Sequence, residues 1–407
     1  MIDRDIALVG TGLAPLAAAS LLISHGKNPL ILNPEWDFFT EDSELPLDPF
    51  HTDSEIHSQL HRVRESEPSQ VLESLRPDFP GAVESWEPSP FSDKKKSFHD
   101  DLAPHVRSRS RLWVSSTVSL SAQQDPKKIW DELEAFYLEA SEANLNPQEL
   151  DGLAAAKRFP GFSGELRSET KGILIPKIAD WDVNRYRFGL QEYLKERLGP
   201  EGMVTAASQI QFIPGGVRFY AQGKLRTERL PEGMIVFWTP SLTPWIEANL
   251  EIPQKPQGVR IWEEWSLISK ETSEDQTIGV FEDMMVWSSF EGRNQAHSNP
   301  LRYLTVLRPG SLISLEDFRP FELNDHWISG KSFEDLSRLC HDFLNWEKLT
   351  IRKVRPRAIF DWGSGEEFSS SDWIVKDRKL TTRVVIPSDG PMNQIVKAAR
   401  AVVGAVI

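Results

Sequence analysis

Cysteine is almost missing from this chain. Its 407 residues hold one, Cys340, so no internal disulfide forms, no thiol pair is available for redox work, and no Cys/His spacing suggests zinc. A lone cysteine of this kind reads first as a small buried apolar side chain. Basic charge is also scarce: 46 Lys and Arg against 60 Asp and Glu leave a formal charge of −14, which repels phosphate backbones and anionic membrane surfaces. Long apolar runs are lacking too, since none reaches the roughly 18–20 residues that span a bilayer. The opening MIDRDIALVG enters a strand without a basic segment, an apolar core and a cleavage site, so the expectation is a cytoplasmic protein. What is present is an ordinary globular composition, 40% hydrophobic with 14 Trp, in a chain long enough for two domains around a shared interface.

The best-defined stretch is IALVGTGLAPLAAASLLISHGKNPLILNPE. Residues 6–10 form a short apolar run, 13–25 carry apolar residues at helical spacing, and 29–32 are apolar again, which predicts a βαβ unit. Gly10 permits the tight strand-to-helix turn, and Gly12 removes a Cβ where a pyrophosphate would approach. The helix start offers backbone N–H groups to that anion. Pro15 occupies the third glycine position, where the first helical turn tolerates it. Asn33 ends the second strand where an acid usually grips a ribose, and Glu35 follows two residues later. The candidate nucleotide contacts of this unit are Gly10, Thr11, Gly12, Leu13, Ala14, Asn33 and Glu35.

Residues 36–114 are polar, proline-rich and charged. His57 and His61 share a helix spacing but have no acids or cysteines at ligand distance, and the lysine run 94–96 reads as a solvated loop. No metal site is expected. Helical periodicity returns at PKKIWDELEAFYLEASEANL and NPQELDGLAAAKRFPGF, which predicts two short helices separated by a turn at Asn146 and Pro147. KGILIPKIADWDVNRYRFGLQEYLKERLG then predicts a strand, a turn at Trp181 and Asp182, and an amphipathic helix. A further strand, a hairpin through Pro214, Gly215 and Gly216, and a strand ending at Trp238 follow. Tyr303, in LRYLTVL, is expected on a strand, in a core or facing a site.

In this order of elements the chain resembles the D-amino-acid oxidase and glycine oxidase family of flavoproteins. The resemblance rests on the opening βαβ unit, RFPGFSGEL, the hairpin region, KVRPRAIFDWG and the closing SDGPMNQIVKAARAVVGAVI, and it spans nearly the whole chain. It implies an α/β fold with a Rossmann-like FAD-binding domain and a second α+β domain on an antiparallel sheet. The first domain would draw on residues 1–60, part of 140–250 and 345–407, with a helical and loop insertion over 61–139. The substrate domain would take 250–345 and parts of 150–190. The resemblance also implies FAD as cofactor, a closing loop of Gly390, Met392, Asn393, Gln394 and Ile395 against it, and hydride removal from an amine, amino acid or other small carboxylate. Arg355 stands at the family's substrate-arginine position, where its planar fork would grip a carboxylate. Pairing with the chain's own acids is the alternative role, and Arg308 in VLRPGS is a weaker candidate. A nicotinamide dehydrogenase shares the opening motif but not the C-terminal return.

Several positions depart from that family. Trp238 and Pro240 stand where alanine and glycine are usual, and Asp389 and Gln394 replace glycines in the closing loop. These side chains are expected to fill space that the cofactor would approach. They keep open a second reading, a non-catalytic relative that serves as a partner subunit or binding module, with another protein or a second copy as its partner.

Overall fold

The computed structural model describes residues 4–10, 12–34, 106–115, 134, 137–138, 141, 147–151, 154, 171–181, 183–252, 254–269, 276–281, 284–290, 302–318, 334, 349–362, 372–376, 380–386 and 391–406. The βαβ unit forms as its spacing dictates. Strand β1 (Ala7–Val9) leads into helix α1 (Leu13–Ser24), and the chain returns as β2 (Leu30–Pro34), parallel to β1 with Val9 opposite Leu32. Residues 13–22 of α1 are all buried, so this helix is apolar around its whole circumference and needs cover on every side.

That cover comes from the sheet below and from two other helices. Helix α2 (Val183–Gly202) contributes Leu190, Leu194 and Leu198, and a C-terminal helix, Pro391–Val406, contributes Ala398, Ala399, Ala401 and Val402 to one core with α1. Strands β9 (Met234–Phe237) and β16 (Thr381–Val385) lie parallel to β1 in the order β16-β9-β1-β2, and β6 (Met203–Ile213) continues beside β2. Strand β15 (Asp372–Lys376) runs antiparallel at the β16 edge.

Alternation along each strand sends the other residues to the opposite face. There Val9, Leu32 and Val236 meet β7 (Gly216–Ala221), β8 (Lys224–Arg229) and the short helix α3 (Thr243–Asn249), with Val217, Phe219, Trp245 and Ile246 in one cluster. The β6–β7 hairpin turns at Gly215 as its sequence suggests. The second hairpin, β7–β8, turns through Gln222 and Gly223, both at positive φ (51° and 73°), a geometry that matches strand twist.

A second eight-stranded sheet stands apart, in the order β14-β10-β13-β12-β11-β3-β5-β4. Its strands are β3 (Val106–Ser115), β4 (Gln148–Asp151), β5 (Lys171–Trp181), β10 (Gly258–Ser269), β11 (Gln276–Phe281), β12 (Met284–Phe290), β13 (Arg302–Ser314) and β14 (Leu349–Asp361). All of its pairings are antiparallel except β11 with β3. The architecture is therefore α/β, a Rossmann-like layer plus a domain on a mainly antiparallel sheet, as expected.

Two segments differ from their sequence reading. Residues 106–115, inside the span expected as a helical and loop insertion, form β3, paired with β5 and β11. Residues 148–151, expected to open a short helix, form β4 against the end of β5, where ladder hydrogen bonds outweigh local helix propensity. Tyr303 lies on β13 as expected.

The two sheets meet through the end of β14. Phe360 packs edge-on against Trp238 with ring centroids 5.1 Å apart, and Trp362 tilts against Phe360 at 6.0 Å. The Gln257 backbone N–H donates to the Asp361 carbonyl (2.8 Å), and the Arg260 guanidinium reaches the Asp361 carboxylate at 2.7 and 3.1 Å.

At the edge where β1, β2 and β9 begin, polar groups lock the strand starts. Arg4, 3% exposed, donates to Asn28 Oδ1 and the carbonyls of Pro29 and Leu198, and Asp5 accepts from the Asn28 N–H. Burial lowers the Arg4 pKa from its usual value, with the nearby charge of Glu228 opposing that shift.

Candidate functional site

The opposite edge, where the parallel strands end, is where the candidate site lies. Gly10 (φ 141°) and Gly12 (φ 82°, ψ −157°) hold backbone conformations that side chains disfavour, so both positions require glycine. A Cβ on Gly10 would stand 3.1 Å from both the Cβ and the carbonyl oxygen of Phe237. The first glycine thus serves the close approach of β9, not ligand access. Gly12 is the N-cap of α1; no side chain caps the helix and no acid lies in its first turn. Its leading N–H groups, those of Leu13 and Ala14 among them, carry the partial positive charge of a helix start, and no acid in the first turn offsets it. The side chains of Leu13 and Ala14 are buried, so these residues offer backbone only.

Asn33 sits at the end of β2 beside this turn, since the Gly10 N–H donates to the Leu32 carbonyl (3.1 Å). The C-terminal helix, designated α4, reaches the same edge. It follows β16, which is parallel to β9 and ends at Val385, and the Trp238 N–H donates to the Val385 carbonyl (2.7 Å). Arg383 Nη2 donates to the Gly404 carbonyl (2.6 Å), tying the far turn of α4 back to its own strand. Helices α1 and α4 therefore pack side by side in the same direction, with both N-termini at one edge. Pro391 occupies the first position of α4, and its first turn also lacks acids.

Of the residues expected at this site, Gly10, Gly12, Leu13, Ala14 and Asn33 come together, and the backbones of Met392, Asn393, Gln394 and Ile395 lie in the opening turns of α4. Thr11, Glu35, Asp389 and Gly390 lie outside the described residues, as do His57, His61 and the lysine run. Arg355 is on β14, five positions before Phe360 and so roughly 17 Å along an extended strand from the seam with the first sheet. Its register partner on β10 is Glu264, and Arg308 on β13 stands opposite Glu263 in the same way.

Trp238 requires a correction. Its indole, 1% exposed, joins Val9, Val236 and Leu242 on the sheet face away from α1 and α4, and its Nε1 donates to Thr243 Oγ1 (3.1 Å). Because successive strand residues alternate, Phe237 took the helix side and Trp238 the other. The indole does not fill the space in front of the α1 N-terminus. The sequence reading also passed over Thr239 and Ser241, whose hydroxyls hydrogen-bond at 3.0 Å just beyond β9. The signal for them was two hydroxyl residues directly after a strand end in TPSLT.

The donor chemistry fits a nucleotide diphosphate: two helix starts with no acid in the first turn, a glycine N-cap and an asparagine at the neighbouring strand end. Among the described residues no cluster of His, Cys, Asp or Glu could hold a metal, and no helix is long and apolar enough to cross a membrane.

No family model and no curated protein matches the chain. Solved structures do. The chain aligns over 99% of its length, and 94% of the other, with NikD, an unusual amino acid oxidase essential for nikkomycin biosynthesis, at 13% identity and a TM-score of 0.62. The fold is that of the amino acid oxidases. The amino acid oxidase fold recurs in glycine oxidase from Bacillus cereus (9% identity, TM-score 0.60, covering 98% and 94%). It recurs again in iminodiacetate oxidase from Chelativorans sp. BNC1 (11%, 0.59, covering 98% and 95%).

Proposed function

We propose that the chain binds FAD across the edge shared by α1 and α4 and oxidises an amine, an amino acid or another small carboxylate. The observation that carries this reading is the convergence on one sheet edge of two helix starts with no acid in their first turns, from segments at opposite ends of the sequence. Gly12 and the Leu13 and Ala14 N–H groups would hold the diphosphate, Asn33 a ribose hydroxyl, and the first turn of α4 the flavin end. Flavin, when bound, supplies the acceptor for a hydride. The protein's part is orientation, and Arg355 would bind the substrate carboxylate. In support, solved structures that share this fold are named as oxidases of amino acids, glycine and iminodiacetate.

The test is a titration of purified protein with FAD, followed by anaerobic addition of amino acids and amines. Retained flavin absorbance that bleaches with a substrate is the expected result. Protein that stays colourless after incubation with FAD removes the cofactor, and flavin that no amine or amino acid bleaches removes the activity.

A further inference from the structure

The sheet edge shared by the α1 and α4 starts carries a hydroxyl that the glycine-based site does not use. Thr239 is the second residue past Phe237, and its backbone is extended (φ −110°, ψ 162°), so the alternation of β9 continues through it. Phe237 faces α1 and α4, Trp238 faces away, and the Thr239 side chain therefore returns to the helix side. Strand β9 lies between β1, which feeds α1, and β16, which feeds α4, so Thr239 stands between the two helix starts. Its surroundings hold it in place. Trp238 is pinned on one side by the Val385 carbonyl and on the other by Thr243, and Pro240 opens the 3₁₀ turn Pro240–Leu242. Ser241, 1% exposed, shares a hydrogen bond with Thr239 at 3.0 Å, while Thr239 itself is half-buried. If Ser241 donates in that pair, the Thr239 hydroxyl proton is left for an outside acceptor.

We infer that Thr239 is a nucleotide-contacting residue: its hydroxyl donates to a diphosphate oxygen between the two helix starts, and Ser241 is the positioning residue that sets its rotamer. This rests on the proposed cofactor site, and its test separates the two.

FAD, ADP and adenosine are titrated calorimetrically into wild type, Thr239→Val, Thr239→Ser and Ser241→Ala. Valine keeps the branched shape and extended backbone but loses the hydroxyl. The expected result is a loss of about tenfold or more in FAD and ADP affinity for Thr239→Val, the scale of a hydrogen bond to a charged group. Adenosine binding should not change, Thr239→Ser should restore affinity, and Ser241→Ala should give a smaller loss. Thermal midpoints within a few degrees of wild type exclude misfolding as the cause. Wild type that binds neither FAD nor ADP overturns the cofactor reading and this inference together. Wild type that binds while Thr239→Val binds equally well overturns the inference alone, and so does an equal loss for ADP and adenosine.

Discussion

Single residues at the strand-to-helix turn have separate duties. Gly10 combines φ 141° with a neighbour that a Cβ would crowd at 3.1 Å, whereas Gly12 caps a helix that no side chain caps. Gly10→Ala should therefore cost stability, about 2 kcal/mol from backbone strain and crowding against Phe237, measured by urea denaturation. An unchanged midpoint would show that the turn has another low-energy conformation. The glycine spacing of this turn was legible in the sequence because it is local: strand, turn and helix lie within thirty residues and each has its own apolar period. The face taken by Trp238 was not legible. It depends on the register of β9 between two strands from distant parts of the chain, and only that register shows which side of the sheet the helix starts occupy. The pairing of Arg355 with Glu264 was not legible either, because strand pairing between residues 258–269 and 349–361 leaves no trace in either segment alone.

At the scale of elements, β3 shows why part of the second sheet is hard to read from sequence. Its sequence VRSRSRLWVS does alternate, but the alternating partner of the apolar and hydroxyl residues is arginine, and the strand sits in a charged, proline-rich stretch. Helix α1 was easy to read for the opposite reason, a dense apolar run with helical spacing. The strand starts opposite the site are fastened by charge. Lys27 and Glu232 form an ion pair there, and its hydrogen bond to Glu232 raises the Lys27 pKa above 10.5, outweighing desolvation. A cation whose folded pKa exceeds the unfolded one stabilises fully below the unfolded value and loses that contribution as pH rises through the folded value. Wild type should therefore keep a constant stability advantage over Lys27→Met from neutral pH to about pH 10, and lose it above about pH 10.5. Denaturation midpoints along that pH series measure it; an advantage that changes near neutrality would assign the effect to another group.

Across the whole molecule, large aromatic side chains join the two sheets. Trp238 anchors in the first core and Phe360 brings β14 against it, with the Asp361 and Arg260 pair alongside. Replacing Trp238 with alanine should cost about 3–5 kcal/mol, because the cavity opens in the core and at the seam together. Urea unfolding followed by tryptophan fluorescence measures this, and a loss below about 1 kcal/mol would mean that the seam repacks freely.

The shared packing of α1 and α4 also has a consequence in time. A ribosome makes α1 hundreds of residues before α4, at about 5–20 residues per second, so this apolar helix waits tens of seconds for its last covering surface. During that interval a nascent chain presents one greasy cylinder face to the cell, which makes chaperone engagement early in synthesis a matter of geometry.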